Sequence, residues 1–535
     1  MKGLVEKMKG KKTRIIATIG RLPKDKEGFL RNIIRAGVDV IRINMSHTKE
    51  EDTDELLGIV NVIRGISERL KRPVAILADI MGPKIRLCEV PENKSFIKKG
   101  ERLRIGTVDD IDIGITNCPK FTEGIEEAIN NGKGISINIG DGALILDAIQ
   151  KKSGFIEFIA RNDGRIRTGQ GITVRGIRLP SGSYNIEDHP HDIWSVKIMV
   201  EHADILALSF VNSAKDIENL QDFISSEVMR RDKISERFGG ISEYPVIAKI
   251  ETDDGVLNID NIIERAYGIM VARGDMGLQI GLENVPLAQK EIIKRCNLWG
   301  KPVIVATQML ASMVSSPEPT RAEVSDVANA IIDGTDALML SDETAIGEYP
   351  LEAVRALDRV ARTVEMTMNE EDKEERSFKR LSKIEELYND FEIAIEKKKS
   401  ETKDKNLVKE ETANFISYSA VLSSELLECD AIVAISKSGA TARRIARFKP
   451  PVPVIIGTMN ETIPRLCSLS YGITAFVIEG RSKERDSFGC LEDGFKKVER
   501  LALEKGILKK GMKVARIAGL SKGVGDTNFL QIVII

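Results

Sequence analysis

The chain has 535 residues, beyond the size at which one hydrophobic core keeps growing, so two or three domains are expected. Its 79 lysines and arginines nearly balance 81 aspartates and glutamates, which argues against a polyanion-binding surface and against nucleic acid as a partner. No apolar run reaches about 18 residues, and the basic start, Met1 to Lys12, lacks the apolar stretch of a secretory signal. The expectation is a cytoplasmic protein with no membrane partner.

From the amino terminus onward, short β-branched runs recur and predict strands: Arg14 to Ile19, Val38 to Ile43, Val74 to Ala78, Asp204 to Leu208, Val246 to Ala248, Gly268 to Ala272, Val303 to Ala306 and Asp336 to Leu340. Amphipathic segments separate most of them, among them Lys24 to Arg35, Asp54 to Leu70, Ala214 to Met229, Leu257 to Ala266, Pro286 to Leu298 and Thr320 to Ile332. Strands alternating with helices imply a parallel sheet, and eight such units predict a closed (β/α)8 barrel of the TIM type.

Between the third and fourth strands the texture changes. Lys99-Gly100, Gly132 to Gly134, Gly140-Asp141-Gly142, Asn162-Asp163-Gly164 and Gly169 to Gly171 punctuate short alternating runs, the pattern of a small β-barrel inserted as a lid. After Pro350 a helix, Leu351 to Met366, completes the barrel. The Lys- and Glu-rich stretch from Asn369 to Glu411, with its run Glu396-Lys397-Lys398-Lys399, suits a solvated helical hairpin or a flexible linker. Beyond it, Ala431 to Ile435, Val454 to Gly457, Thr474 to Ile478, Lys513 to Ala518 and Leu530 to Ile535 form the strands of a C-terminal α/β domain. The expected division is a barrel of residues 1–86 and 180–366, a lid of 87–179, a charged insertion of 367–411, and a C-terminal domain of 412–535.

Each barrel strand ends in groups that an apolar core would not select. They are Thr18; Arg42, Asn44 and Ser46; Asp79; Ser209; Lys249 and Glu251; Arg273 and Asp275; Thr307 and Gln308; Ser341 and Glu343. In this fold the carboxyl ends of all strands face one mouth, where active sites lie, so these residues assemble one site. A cation with two carboxylates, Lys249, Glu251 and Asp275, suits a divalent metal and a developing anion. In the C-terminal domain, Ser436-Lys437-Ser438-Gly439-Ala440-Thr441 follows a strand and opens a helix, the makings of a phosphate cradle. The six cysteines are scattered with no C-x-x-C pair, and four histidines are too dispersed for a metal box; buried free thiols in a reducing compartment fit.

Longer motifs carry a resemblance. They include Thr13-Arg-Ile-Ile-Ala-Thr-Ile-Gly20, Val40-Ile-Arg-Ile-Asn-Met-Ser-His47, Asp79-Ile-Met-Gly-Pro-Lys-Ile-Arg86 and Ile247-Ala-Lys-Ile-Glu251. Further along come Ile269-Met-Val-Ala-Arg-Gly-Asp-Met-Gly277, Lys301-Pro-Val-Ile-Val-Ala-Thr-Gln-Met-Leu310, Pro319-Thr-Arg-Ala-Glu-Val-Ser-Asp-Val-Ala-Asn329 and Leu340-Ser-Asp-Glu-Thr-Ala345. Along nearly its whole length the chain resembles the pyruvate kinase family, in which barrel, inserted β domain and C-terminal α/β domain follow in this order.

The resemblance implies phosphoryl transfer from phosphoenolpyruvate to ADP, giving pyruvate and ATP, the last step of glycolysis. It implies Lys249 as the catalytic lysine, Glu251 and Asp275 as ligands of Mg2+ or Mn2+, and Arg42 and Arg86 on the phosphate. It further implies Ala272, Arg273, Gly274 and Asp275 around the substrate carboxylate, Thr307 beside the enolate face, and Ser209 and Glu343 in positioning roles. His47 and Asn44 would serve the nucleotide, residues 436–441 a phosphorylated effector, with Arg443, Arg444 and Gly519 to Gly525 nearby, and the assembly would be a homotetramer.

Some positions depart from the family pattern. Many members read Asp-Thr-Lys-Gly-Pro-Glu where this chain has Asp79-Ile80-Met81-Gly82-Pro83-Lys84. In those members a monovalent cation sits among oxygens at the positions of Asn44, Ser46, Asp79 and Ile80. Lys84 in place of the glutamate supplies an ammonium charge there, so K+ is expected to be dispensable. Asp342 and Ile346 replace a glycine and a lysine near the nucleotide, and Gly20-Arg21-Leu22-Pro23 lacks the usual small residues. Two alternatives remain at this level: a barrel lyase or mutase acting on similar 2-oxo acids, and a catalytically impaired paralogue.

Overall fold

The computed structural model describes residues 11–535 apart from 21, 107–110, 116–124, 128, 132–133, 141–143, 153, 176–183, 371–372, 402–405, 480–486 and 520–526. The turns expected at Gly132 to Gly134 and Gly140 to Gly142, the Gly20-to-Pro23 loop, the lid boundary at 179 and the Gly519-to-Gly525 wall fall wholly or partly outside the described residues, as does most of Met1 to Lys12.

Eight strands close the barrel: Arg14–Ile19, Val40–Asn44, Ala75–Ile80, Ile205–Leu208, Val246–Ile250, Gly268–Ala272, Val303–Ala306 and Ala337–Leu340. All neighbours are parallel, and closure pairs Arg14 with Ala337 and Ala17 with Leu340. Side chains cover one face of each strand and helices the other, which is why the strands are continuous apolar runs without polar alternation. The helices are delimited by local chemistry. Arg321–Asp333 starts on a Thr320/Glu323 capping box and stops at Gly334, whose φ of 99° only glycine adopts cheaply. The expected helix from Ala214 to Met229 is α-helical only to Phe223 and widens into a π turn over Ile224–Val228. That from Leu257 to Ala266 breaks at Asn258, whose side chain donates to the Asn212 carbonyl (2.8 Å).

Aspartates at the amino-terminal face do a different job from the polar residues at the mouth. Asp39, Asp204 and Asp336 lie just ahead of strands and accept the amides of Ile15, Ile76 and Val303 in the neighbouring strands (3.0, 2.8 and 3.1 Å). Asp204 also binds Arg465, and Asp336 binds Lys449, both from the C-terminal domain. That domain therefore docks on the face of the barrel opposite the mouth.

The inserted domain is a curled six-stranded sheet over its own apolar core. Its edges, Ile113–Gly114 and Ile172–Arg175, are brought together by the chain leaving the barrel. Arg86 bridges Gly171 on one side and Leu87 bridges Ile115 on the other. The C-terminal sheet runs Ile473–Val477, Val454–Thr458, Ala431–Ile435, Lys513–Ala518 and Phe529–Ile534, parallel except for the last strand.

The charged stretch is helical in its described parts, Lys373–Glu401 and Asn406–Leu426. Its apolar minority packs rather than floats. Phe391, Ile395 and Leu407 form a buried cluster against Leu298 and Trp299 of the barrel, and Tyr388 stacks on Tyr418 with ring centroids 4.2 Å apart. Among the described residues no helix is long and apolar enough to cross a membrane.

Candidate active site

Asp79, at the end of the third strand and 1% exposed, is the hub of the mouth. Its Oδ2 accepts from Arg42 Nε (2.8 Å), and its Oδ1 from Lys249 Nζ (3.1 Å) and Ser209 Oγ (3.2 Å). Arg42 also donates to Thr18 Oγ1 (2.9 Å), and Lys249 to Ser209 Oγ (2.7 Å). Lys249 lies 3.3 Å from Glu251 Oε1. The first five strands thus deliver Thr18, Arg42, Asp79, Ser209, Lys249 and Glu251 to one place.

Charge balance explains the protonation states. Burial alone would raise Asp79, but Lys249 and Arg42 outweigh it and hold the carboxyl below its ordinary value. Burial alone would lower Lys249, but Asp79 and Glu251 raise it, so the ammonium form is secured. Glu251 is raised, by burial first and by neighbouring Asp275, with Lys249 opposing. A buried carboxylate whose charge a second carboxylate further disfavours is a setting that a divalent cation relieves.

The remaining strands build the opposite wall. Phe210, at φ 56°, turns its amide onto Glu251 Oε2 (2.7 Å) and fixes that carboxylate. Asp275 lies in the first turn of the helix Arg273–Ile280. Thr307 and Gln308 take φ of 67° and 54°, unusual for residues with side chains, and their turn needs support. Arg273 gives it, donating to the carbonyls of Thr307 (2.8 Å) and Gln308 (3.1 Å) while Asp326 holds its other end (2.6 Å). The Arg273 side chain is thus taken up by the scaffold, which leaves the amides of the Ala272-to-Asp275 segment as the groups expected to meet the substrate carboxylate. Thr307 Oγ1 accepts the Gly274 amide (2.8 Å), so this hydroxyl and the amide expected to hold a carboxylate face each other. Glu343 accepts the amides of Leu310 (2.9 Å) and Ser341 (2.7 Å), tying the last two loops together.

The remaining residues expected at the site are placed by local contacts of their own. Lys84 Nζ donates to Asp275 Oδ1 (2.7 Å) and lies 4.8 Å from the Phe210 ring centroid. Its partner is therefore a metal-type carboxylate rather than Asn44, Ser46 or Asp79. Asn44 Oδ1 instead accepts the Ser46 amide within a turn (3.2 Å), and Ile80 is buried with its carbonyl bound to Ser209 Oγ (2.9 Å). Arg86 donates to the Gly169 carbonyl of the lid (2.9 Å). His47 is exposed at the rim, and desolvation together with Arg86 and Arg42 holds its imidazole below the ordinary value. Ala272 ends the sixth strand immediately before the Asp275 helix.

Asp192 was not apparent from the sequence. Buried in the helix Pro190–His202, it accepts the amides of Met81 and Gly82 (3.0 Å each) and the Tyr184 hydroxyl (2.8 Å). It thereby fixes the turn that follows Asp79. Its only signal in sequence is an acidic residue in a helix's first turn, which ordinary capping explains equally well.

The loop of residues 436–441 lies far from this mouth, in the C-terminal domain. Ser436, Ser438 and Thr441 are buried, Gly439 has φ 74°, and Thr441 Oγ1 lies 2.9 Å from Thr527 Oγ1. Lys437 presents its carbonyl to Gly239 of the barrel, where any side chain would collide with it, and Ala440 begins the following helix. Arg443 Nη1 donates to the Ser438 carbonyl of the loop and to the Tyr267 hydroxyl (3.2 Å each).

Among the described residues no group of three or more His, Cys, Asp or Glu side chains could hold a metal ion. Glu251 and Asp275 supply two hard oxygen donors, which fits Mg2+ held by one or two carboxylates with the remaining positions taken by water and substrate phosphate.

Comparison with known proteins agrees with this geometry. A family model described as the pyruvate kinase barrel domain matches residues 10–354, and one described as the pyruvate kinase alpha/beta domain matches 414–533. Pyruvate kinase of Clostridium acetobutylicum is 33% identical over 98% of this chain and 99% of its own. Those of Borreliella burgdorferi (34%; 90% and 89%) and Thermococcus litoralis (35%; 89% and 90%) are similar. With both domains matched, and with a mouth whose charged groups suit phosphoryl chemistry, the chain is an enzyme of the pyruvate kinase family.

Proposed function

We propose that the mouth transfers the phosphoryl group of phosphoenolpyruvate to ADP, with Lys249 at the centre of the charge change. The observation that carries this is Lys249 held between Asp79 and Glu251, with Arg42 on the other oxygen of Asp79. Phosphoryl transfer calls for alignment and charge neutralisation more than covalent catalysis. A secured ammonium can stabilise the transferring phosphoryl and then the enolate oxygen it leaves. Arg42 binds the phosphate with Arg86, and Thr307, beside the Gly274 amide, holds or relays the proton that converts enolate to pyruvate. Glu251 and Asp275 would hold Mg2+ or Mn2+, which supplies Lewis-acid charge to the phosphate and enolate oxygens.

Further elements of the reading are K+ independence, an effector phosphate at residues 436–441, a homotetramer and a cytoplasmic site of action. The Lys84 ammonium supports the first, since it adds a fixed monovalent charge beside Asp275. A coupled assay of pyruvate formation with ADP and Mg2+ tests the main reading: the wild type makes ADP-dependent pyruvate, and Lys249→Ala loses about 10³-fold or more in kcat. Activity surviving in Lys249→Ala overturns the assignment. Activity rising manyfold when K+ is added to a medium free of Na+ and K+ overturns K+ independence alone. A lyase or mutase would have no use for the lid and C-terminal domain, and would turn over without ADP.

A further inference from the structure

Away from the mouth, the barrel and the C-terminal domain meet around a narrow, partly open cavity. Asn297, Lys301 and Asp336 line it from the barrel, and Arg443, Arg447 and Ser470 from the C-terminal domain. Its charges do not balance. The one lining carboxylate, Asp336, is fully used: Lys449 Nζ and the Tyr471 amide bind Oδ1 (2.9 Å each), and the Val303 amide binds Oδ2 (3.1 Å). The three lining cations rest on neutral groups. Lys301 donates to the Ala266 carbonyl (2.6 Å), Arg443 to the Ser438 carbonyl and Tyr267 hydroxyl (3.2 Å each), and Arg447 Nη1 to the Leu298 carbonyl (2.8 Å). Glu410 reaches Lys301 and Arg447 only as a charge at a distance.

Arg447 is the least satisfied of them. It is 3% exposed and wedged between the rings of Phe391 and Phe448, with centroids 4.8 and 4.6 Å away. Its Nε and Nη2 have no hydrogen-bond partner, nor has the Ser470 hydroxyl. Nε and Nη2 form one side of the guanidinium fork, the pair that binds two oxygens of a phosphate or carboxylate at once. Asn297 Oδ1, also without a partner, is an acceptor. The occupant must therefore accept several hydrogen bonds and donate one. Burial pushes Lys301 down to about 8 and Arg447 down to about 9, and the charges of Glu410 on both and of Glu243 on Lys301 oppose this without overcoming it.

We propose that this cavity is a binding site for inorganic phosphate, held by the Nε and Nη2 fork of Arg447 and the Ser470 hydroxyl, with the protonated oxygen of hydrogen phosphate donating to Asn297. The free space is narrow and its walls stand closer than a water's width, so entry requires the Arg447 and Arg443 side chains to part. Because the walls come from two domains, the bound anion fastens the C-terminal domain to the barrel. The site is separate from the residue 436–441 loop, although Arg443 belongs to the helix that follows it.

The test uses the full-length protein exchanged into phosphate-free buffer, with phosphate binding measured by equilibrium dialysis and thermal unfolding followed at matched ionic strength. The wild type is expected to bind one more phosphate per chain than Arg447→Met, and its midpoint to rise by about 1 °C near ten times Kd. Sulfate, which has no proton for Asn297 at neutral pH, binds more weakly, and chloride does not reproduce the shift. Arg447→Met, relieved of an uncompensated charge, unfolds no earlier than the wild type without phosphate and ignores its addition. Should Arg447→Met fail to fold, Ser470→Ala, which keeps every backbone contact, binds this phosphate about 5-fold more weakly. Equal stoichiometry and affinity in wild type and folded variants, or an equal shift with chloride, overturns the proposal.

Discussion

At the scale of single residues, Asp79 decides how the mouth is organised. Among the described residues it is the one carboxylate that pairs with both Arg42 and Lys249, so its removal takes a counter-charge from each. Asp79→Asn keeps the shape and leaves two buried cations with one counter-charge fewer. We expect it to cost about 3–5 kcal/mol of stability at neutral pH and about 10²-fold or more in kcat. The pH dependence has a definite sign. Asp79 is held below its unfolded value, so its contribution is fully present above about pH 4 and is lost as pH falls through the folded value. Denaturant titrations should therefore show a wild-type advantage that is level at neutral pH and closes on acidification. An advantage that grows on acidification would mean Asp79 is not the paired group described. Arg273 makes the complementary point: its type and strand-end position are legible in sequence, but its direction depends on the Thr307–Gln308 turn, which belongs to another strand.

At the scale of elements, the barrel strands and most helices were legible because burial on both faces and capping residues act within a few positions of one another. The strand-end loops were not, because they are held by groups distant in the chain. Gly82 shows the difference. It sits at φ 64°, and a Cβ there would lie 2.2 Å from the Ser209 carbonyl oxygen. Gly100 in the lid has φ 84° but nothing within 4 Å of a Cβ. Gly100→Ala should therefore cost about 1 kcal/mol of backbone strain and leave turnover intact. Gly82→Ala should cost about 2–3 kcal/mol or more and lower kcat, because the turn after Asp79 must move. Comparing unfolding midpoints and kcat for the pair checks this; equal effects would show that positive φ alone, not the contact with Ser209, sets the cost. Asp192, which binds the same turn from a helix more than a hundred positions away, could not have been found by local pattern.

At the scale of the whole molecule, two faces of the barrel divide the work: the mouth gathers charge for chemistry, and the opposite face binds the C-terminal domain. The charged helices between them are anchored by a few aromatic groups. Phe391, 1% exposed, meets Trp299 edge-on at 5.8 Å between ring centroids. Phe391→Ala should cost about 3–5 kcal/mol of local packing, exposing the Lys373–Glu401 helix to limited proteolysis while pyruvate formation persists. Unchanged proteolysis would show that ion pairs such as Lys294 with Asp390 hold the helix instead. By itself the sequence determined the barrel, the inserted and C-terminal domains, and the residue types at each strand end, because hydrophobic period and turn chemistry are local. Only the tertiary structure decided the partners: Lys84 on Asp275, Arg273 on the Thr307 turn, Asp192 beneath Gly82, and Arg447 in the domain boundary. Those partners are set by which strands and domains come to lie side by side, and a buried charge takes its direction from the nearest group that can neutralise it or accept its hydrogen bonds.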